Sequence, residues 1–265
     1  MSDLKLSEIY IYPIKSLGGI SLQQAIVMPK GLQHDRRWML VDEDGMFMTQ
    51  RVYPELALFK VTADTDQLTI RYKQESTILP FNHSPFESPA LVTIWDDRIA
   101  AFEVSTIQSS WFSDFLKMKC KLVYFPEENT RPVNPLYSVN NEQVSLADAY
   151  PFLIIGQSSL DDLNSRLEQP LPMNRFRPNF VFTGGEPCEE DAWRNFTIGS
   201  NRFVGVKPCA RCVLTTVNQD TAEKGLEPLR TLATYRKRDN KILFGQNLVA
   251  IDHQVIAVGD KITLQ

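Results

Sequence analysis

Several absences narrow the reading of this 265-residue chain before any motif is considered. It has only four cysteines and three histidines, so it is not a disulfide scaffold. No stretch of about 18 apolar residues occurs, and the N-terminus "MSDLKLSEIYIYPIKS" lacks an apolar segment of signal-peptide type. The expectation is a soluble protein of a reducing compartment, cytoplasmic and without a membrane partner. Charge of one sign is also lacking: 28 Lys and Arg against 32 Asp and Glu leave a net −4. That balance argues against a general nucleic-acid binder but says little about small acidic ligands, which need only local positive charge. G-x-G-x-x-G, the Walker loop, H-E-x-x-H and G-x-S-x-G are all missing. With 43% hydrophobic residues the chain can build a real core, as one large domain or two moderate ones.

The first ninety or so residues read as β. "LSEIYIYPIKSL" alternates and breaks at Pro13, "ISLQQAIVM" and "RRWMLVD" are strand-like, and "DEDG" is a hairpin turn. "GMFMTQR", "LALFKVTA" and "QLTIRYK" continue at short spacing, which suggests an antiparallel barrel or sandwich. The turn-rich "NHSPFESP", Asn82 to Pro89, is a candidate boundary. Beyond it the pattern is mixed. "ALVTIWDDRIAAFEV" looks like a hairpin. "STIQSSWFSDFLKM" carries Ile107, Trp111, Phe112, Phe115 and Leu116 at helical spacing after a Ser/Thr cap, and "QSSLDDLNSRLE" repeats the pattern at Leu160, Leu163 and Leu167 after a serine cap candidate. "FVFTGG", "RFVGV" and "VLTTV" read as strands, "PLRTLATYRK" as a short helix opening on proline, and "VIAVGDKITL" as a closing hairpin.

Chemistry concentrates in "VGVKPCARCVLTTV", where Cys209 and Cys212 stand three residues apart. A structural zinc site needs four ligands, yet Cys120 and Cys188 are isolated and only His34, His83 and His253 remain, so no second half-site has suitable spacing. A thioredoxin-like pair would open a helix after a strand, whereas a β-branched run follows here. Two readings stay open: two small residues buried in a hairpin, or a thiolate. Lys207 and Arg211 bracket the pair, and neighbouring cations favour a thiolate suited to a soft metal centre or an adjoining anionic ligand.

Other basic residues sit in turn-locked contexts. Lys15 and Ser16 occupy a Pro/Gly-bounded bend. Arg36 and Arg37 open a strand, where alternation points them to opposite faces. Arg175 and Arg177 alternate in the same way, with Asn179 beyond a proline. Each alone is explained by a surface arginine with its stem packed on an apolar neighbour; together they resemble a polyanion cradle. His34 and Asp35 are adjacent strand residues on this reading and face apart, so they make no dyad.

"KPCARCVLTTVNQDT", "EPLRTLATYR" and "FGQNLVA" resemble the core of the MOSC domain. "YPIKSLGGISLQQA", "GLQHDRRWMLVDEDG" and "TQRVYPELALF" resemble the β-barrel domain preceding it in the branch that includes the mitochondrial amidoxime-reducing component and its bacterial relatives. "WFSDFL", "SSLDDLNSRL" and "RFRPNFVF" fit the same branch, so the likeness runs from about residue 5 to the C-terminus. It implies a β-rich α+β fold, with an N-terminal antiparallel β-barrel-like domain at 1–88 and a MOSC β-barrel domain with a few helices at 89–265.

The resemblance further implies a molybdenum–molybdopterin cofactor between the two domains, with Cys212 as the metal ligand and Cys209 as a cofactor-binding neighbour. Lys15, Ser16, Arg36, Arg177, Asn179, Arg211 and Asn247 match its cofactor-contacting positions. Such a cofactor needs cations and hydrogen-bond donors at its phosphate and a soft anionic anchor at its metal. The implied reaction is two-electron reduction of a small N-hydroxylated substrate; Asp35 or Asp252 is a conceivable charge relay. At the level of the family alone, pyridoxal phosphate binding is also associated with the domain. Two departures stand out. The C-x₄-C-x₂-C run of a 2Fe-2S ferredoxin domain, carried by some bacterial relatives, is absent, so electrons would come from a separate donor protein of ferredoxin or flavoprotein type. The family's V-D-P-x-T-G is replaced by Val217-Asn218-Gln219-Asp220-Thr221-Ala222. Alternatives from other classes are a cofactor carrier without turnover and a sulfur-transfer protein bearing a persulfide on Cys212 or Cys209.

Overall fold

The structure is a computed structural model and describes residues 3–82 and 88–265. Most of the expected boundary from Asn82 to Pro89 lies outside the described residues, as does His83. The fold is strand-rich, with several mainly antiparallel sheets. Three α-helices lie among the described residues: α1 (Thr106–Leu116), α2 (Gln157–Asn164) and α3 (Leu229–Tyr235).

The largest sheet has nine strands. Its path runs Ile262–Leu264, Asn195–Ile198, Asn201–Ala210, Lys241–Ala250, Phe152–Gly156, Phe180–Thr183, Lys5–Ile11 and Ile20–Leu22, with Lys237–Arg238 added beside Lys241–Ala250. All pairings are antiparallel except Phe152–Gly156 with Phe180–Thr183. That parallel pair needs a crossover, and α2 supplies it. The N-terminal strand thus sits beside residues about 170 positions later; Ile9 pairs with Phe180. Phe152, Phe180, Phe182, Phe196 and Phe203 pack with Leu6, Ile9 and Ile11 in the core that this sheet covers.

A second core lies under the meander Lys60–Ala63, Gln67–Tyr72 and Glu75–Pro80, where Phe59, Leu68 and Ile70 meet Trp38 and Phe112 of α1. Ser105 caps α1, its hydroxyl accepting from Ile107 N–H at 3.1 Å. The expected hairpin is Ser88–Ile94 with Asp97–Glu103, and it extends into a four-stranded sheet through Lys121–Tyr124 to Trp38–Val41.

Several local expectations are corrected. "VLTT" is a 3₁₀-helix, Val213–Thr216, because both threonine hydroxyls donate back to carbonyls three residues earlier, on Cys212 and Val213. "LALF" belongs mostly to another 3₁₀-helix, Pro54–Leu58, opened by its proline. α2 is capped by Gly156 with no side-chain hydrogen bond, so the serines after it serve no cap. "VIAVGDKITL" is not a hairpin: Val255–Ala257 pairs with Gln24–Met28, and Ile262–Leu264 with Asn195–Ile198. Arg36 lies in a turn before the strand Trp38–Val41, and Arg175 in a 3₁₀-helix, Met173–Arg175. Alternation therefore decides the direction of neither pair.

Candidate functional site

The strand Asn201–Ala210 approaches its neighbour Lys241–Ala250 with two breaks in register, the first skipping Val206 and the second setting Cys209 against Phe244 and Gly245. A bulge re-aims side chains that a regular strand would alternate. Lys207, Pro208, Cys209 and Ala210 of this strand, with Arg211 and Cys212 just beyond its end, all line one cleft of about 310 Å³. Gly245 makes the irregularity possible: its φ is +81°, and a Cβ there would come within 2.9 Å of Ile154 O.

All nine residues expected from the sequence line this cleft: Lys15, Ser16, Arg36, Arg177, Asn179, Cys209, Arg211, Cys212 and Asn247. Among the described residues six cationic side chains, Lys15, Arg36, Arg51, Arg177, Lys207 and Arg211, face it against one carboxylate, Asp148. Such an excess makes a strongly positive concavity in a protein of net negative charge. Three of the lining residues hold left-handed backbone without being glycine: Ser16 at φ +70°, Arg36 at +50° and Arg177 at +55°. Conformations of this kind persist only where the surroundings fix them, and they cluster at functional sites.

Tyr12 organises the arginines. Its buried ring carries the Arg36 guanidinium carbon 4.4 Å and that of Arg177 4.2 Å from its centroid. Arg36 is also tethered to the Asp35 carboxylate, to Asn179 Oδ1 and to the Arg177 carbonyl. Arg177 forms no ion pair among the described residues, and burial lowers its guanidinium to about 10, still charged at neutral pH. A buried, unpaired cation of this sort is suited to an anion. Arg211 adds another open donor: its Nη groups bind Cys209 Sγ at 3.0 Å and Phe176 O at 2.6 Å, while its buried Nε has no partner among the described residues.

Not every expected residue offers free groups. The Asn179 amide donates to Tyr10 O and Asp35 and accepts from Arg36 and Leu153 N–H, so it braces Arg36 rather than pointing a spare group outward. Asn247 donates to Lys207 O at 3.0 Å and fixes the bulged strand. Lys15 is bound to Leu146 O at 2.7 Å and Asp148 Oδ1 at 2.6 Å. Asp35, fully buried, receives Tyr12 N–H and Asn179 besides Arg36. Asp252 does not line the cleft and instead pairs with Arg202. Arg37 leaves the cleft to bind Glu127 and Asp35 O. Arg175, too, points elsewhere and clamps the carbonyls of Thr215 and Thr216.

Cys212 caps the start of the 3₁₀-helix Val213–Thr216, where its carbonyl accepts from both Thr215 N–H and Thr215 Oγ1. Its sulfur receives Arg51 Nε at 3.2 Å, and Arg51 is itself bound to Asp148. Arg51 lies in the family-like "TQRVYPELALF" and Asp148 in "SLADAYP", but nothing local in either stretch gives them a role at the site; folding does. The replaced family turn is locked by a reciprocal amide pair, Gln50 and Gln219, at 3.1 and 2.9 Å. Lys60 reinforces it by donating to Gln219 O and Asp220 Oδ1, both at 2.8 Å.

The model of the MOSC N-terminal beta barrel domain matches residues 3–119 and that of the MOSC domain residues 141–263. Mitochondrial amidoxime-reducing component 1 of Mus musculus is 35% identical, across 98% of this chain and 82% of that protein. Its Homo sapiens counterpart is 33% identical over the same shares, 98% and 82%. Molybdenum cofactor sulfurase of Arabidopsis thaliana is 33% identical across 91% of this chain but only 32% of its own length. Among the described residues no helix is long and apolar enough to cross a membrane. With both domain models matched in order and more than 30% identity over nearly its whole length, this chain belongs to the MOSC-domain family, in the group of the mitochondrial amidoxime-reducing components.

Proposed function

We propose that this protein is a molybdenum-cofactor-dependent oxidoreductase that reduces small N-hydroxylated compounds, drawing electrons from a separate donor protein of ferredoxin or flavoprotein type. The observation that carries the reading is the meeting of the Cys212 sulfur with six cations in one cleft. The donor set fits the cofactor: a soft sulfur for molybdenum, and guanidinium and ammonium groups for a phosphate-bearing pterin. Arg177 and the open Nε of Arg211 have hydrogen-bonding capacity still to be filled.

On this reading Cys212 holds the metal, and Lys15, Ser16, Arg36, Arg177 and Arg211 hold the anionic part of the cofactor. Asp35, Asn179 and Tyr12 keep the two stacked arginines in place against their mutual repulsion. Tyr150, Leu153, Phe176 and Leu214 supply apolar wall that excludes bulk water. Bound molybdenum would supply the two-electron change by which an N–OH group, with two protons, becomes N–H and water. Cys209, bonded to Arg211 rather than Arg51, is a neighbour that orients the arginine.

The test is expression in a host that makes the cofactor, followed by molybdenum and pterin determination and by assay of an amidoxime with reduced viologen. Wild type is expected to hold molybdenum and consume the amidoxime. Cys212→Ser should lose more than about a hundredfold in turnover and alter the metal centre, with Cys209→Ser far milder. Absence of molybdenum from wild type, or equal and negligible effects of the two substitutions, would sink the assignment. A second reading, cofactor or sulfur carriage, draws on Cys209 sharing the cleft and on the likeness to the plant sulfurase. A carrier would bind molybdenum and leave the amidoxime untouched.

A further inference from the structure

Arg51 is the side chain in the cleft that donates to the Cys212 sulfur, and contacts on several sides fix its position. Its Nε donates to Cys212 Sγ at 3.2 Å, and its Nη2 binds Asp148 Oδ2. The guanidinium carbon lies 4.9 Å from the ring centroid of Trp95. The backbone is fixed as well: Arg51 N–H donates to Thr49 Oγ1 at 3.1 Å, and Arg51 O accepts from Lys224 Nζ at 2.8 Å. Next to it, Gln50 is locked to Gln219. The segment bearing Arg51 is thereby latched at three places to the segment that begins with Cys212.

Trp95 shows that this arrangement is maintained at a cost. Ile94 pairs with Asp97, so Trp95 is the first residue of a two-residue hairpin loop. Its φ is +53°, a conformation that glycine adopts freely and a bulky residue does not. The ring is half exposed, with Arg51 against it and Phe47 edge-on at 5.1 Å. A local hairpin preference alone would place glycine there; the tryptophan makes sense as the platform that restricts where the arginine can lie.

We infer that Arg51, held by Asp148 and Trp95, is a positioning residue that tunes the Cys212 sulfur as a metal ligand, by orienting it and by withdrawing electron density through a charge-assisted hydrogen bond. The inference rests on the reading that Cys212 anchors molybdenum. Hydrogen bonds to a coordinating sulfur and the partners beyond the first ligands set metal potential as well as geometry. A donor on the sulfur weakens its donation to the metal and so favours the reduced state. Removing the donor therefore lowers the midpoint potential.

The experiment is a redox titration of the loaded protein followed by electron paramagnetic resonance of the molybdenum, on wild type, Arg51→Met, Arg51→Lys and Trp95→Gly. Arg51→Met is expected to lower the midpoint potential and change the Mo(V) signal. Arg51→Lys, which keeps a cation but cannot serve Asp148 and the sulfur in the same geometry, should give a smaller shift in the same direction. Trp95→Gly relieves the backbone strain while freeing the arginine, and should also shift the potential downward. If Arg51→Met fails to fold or to load, Trp95→Gly decides alone. Unchanged potential and signal in the loaded variants overturn the role of Arg51 and leave the cofactor reading standing. A wild type without molybdenum, or a Cys212→Ser protein with the wild-type signal, overturns that reading and this inference together.

Discussion

At the scale of single residues, the cleft is a problem of holding like charges close together. Arg36 and Arg177 share the Tyr12 ring, and of the two only Arg36 is hydrogen-bonded to the Asp35 carboxylate. Both arginines hold left-handed backbone, a strained conformation that persists only where the surroundings fix it. Strain without any such function occurs at Ala222, whose φ is +62° in the turn where the family pattern has glycine. Ala222→Gly should raise stability by about 1 kcal/mol, because a left-handed alanine carries a Cβ clash that glycine lacks. Denaturant melts of the two proteins measure it; no gain would show that the turn is set by the Gln50–Gln219 pair instead. Resemblance made the cysteines and the arginines of this cleft legible in the sequence. Arg51 was not, because its partners Cys212, Asp148 and Trp95 come from three distant segments.

Among elements, the 3₁₀-helix Val213–Thr216 matters most, since it aims Cys212. Its residues suit a strand by propensity, and "VLTTV" reads as one. Two things override that preference. Both threonine hydroxyls satisfy local carbonyls, and Arg175, from a separate short helix, binds the carbonyls of Thr215 at 3.0 Å and Thr216 at 3.1 Å. Arg175 is buried, so Arg175→Met would strip the Thr215 carbonyl of its side-chain donor, while Thr216 O keeps Gly225 N–H at 3.1 Å, and would cost about 1–3 kcal/mol. The same substitution is expected to lower molybdenum retention by loosening Cys212; thermal melts and metal analysis on one preparation check both. Stability lost with the metal content intact would confine Arg175 to the fold.

For the molecule as a whole, the issue is how early and late parts of the chain are joined. Lys5–Ile11 inserts beside Phe180–Thr183, and Val255–Ala257 returns to Gln24–Met28. At the cleft the joint is electrostatic: Asp148 bridges Lys15 and Arg51. Burial alone would raise the Asp148 carboxyl, but Lys15 and Arg51 more than offset it and hold it below the usual carboxylate range. A carboxyl depressed in the folded state adds stability above its ordinary range and loses it as pH falls through that range towards the folded value. Wild type should therefore lose more stability than Asp148→Asn as pH falls from about 5 to 3. Parallel pH curves from denaturant melts would show that the bridge contributes nothing.

The sequence by itself determined what depends on near neighbours: α1 with its serine cap, the hairpin at Ile94 and Asp97, a β-rich fold and, through family resemblance, the cleft residues. Periodicity and capping act within a few residues, so they can be read along the chain. Tertiary structure decided partners. The terminal strands have a hairpin's pattern but pair with Gln24–Met28 and Asn195–Ile198, because an edge accepts whichever strand packing brings to it. The register breaks of Asn201–Ala210, the second of them opposite Gly245, bring Lys207 to Ala210 to the same cleft as Arg211 and Cys212 beyond the strand's end, which regular alternation would not do. And only folding placed Arg51 on Cys212, since a hydrogen bond across 161 residues leaves no periodic trace in sequence.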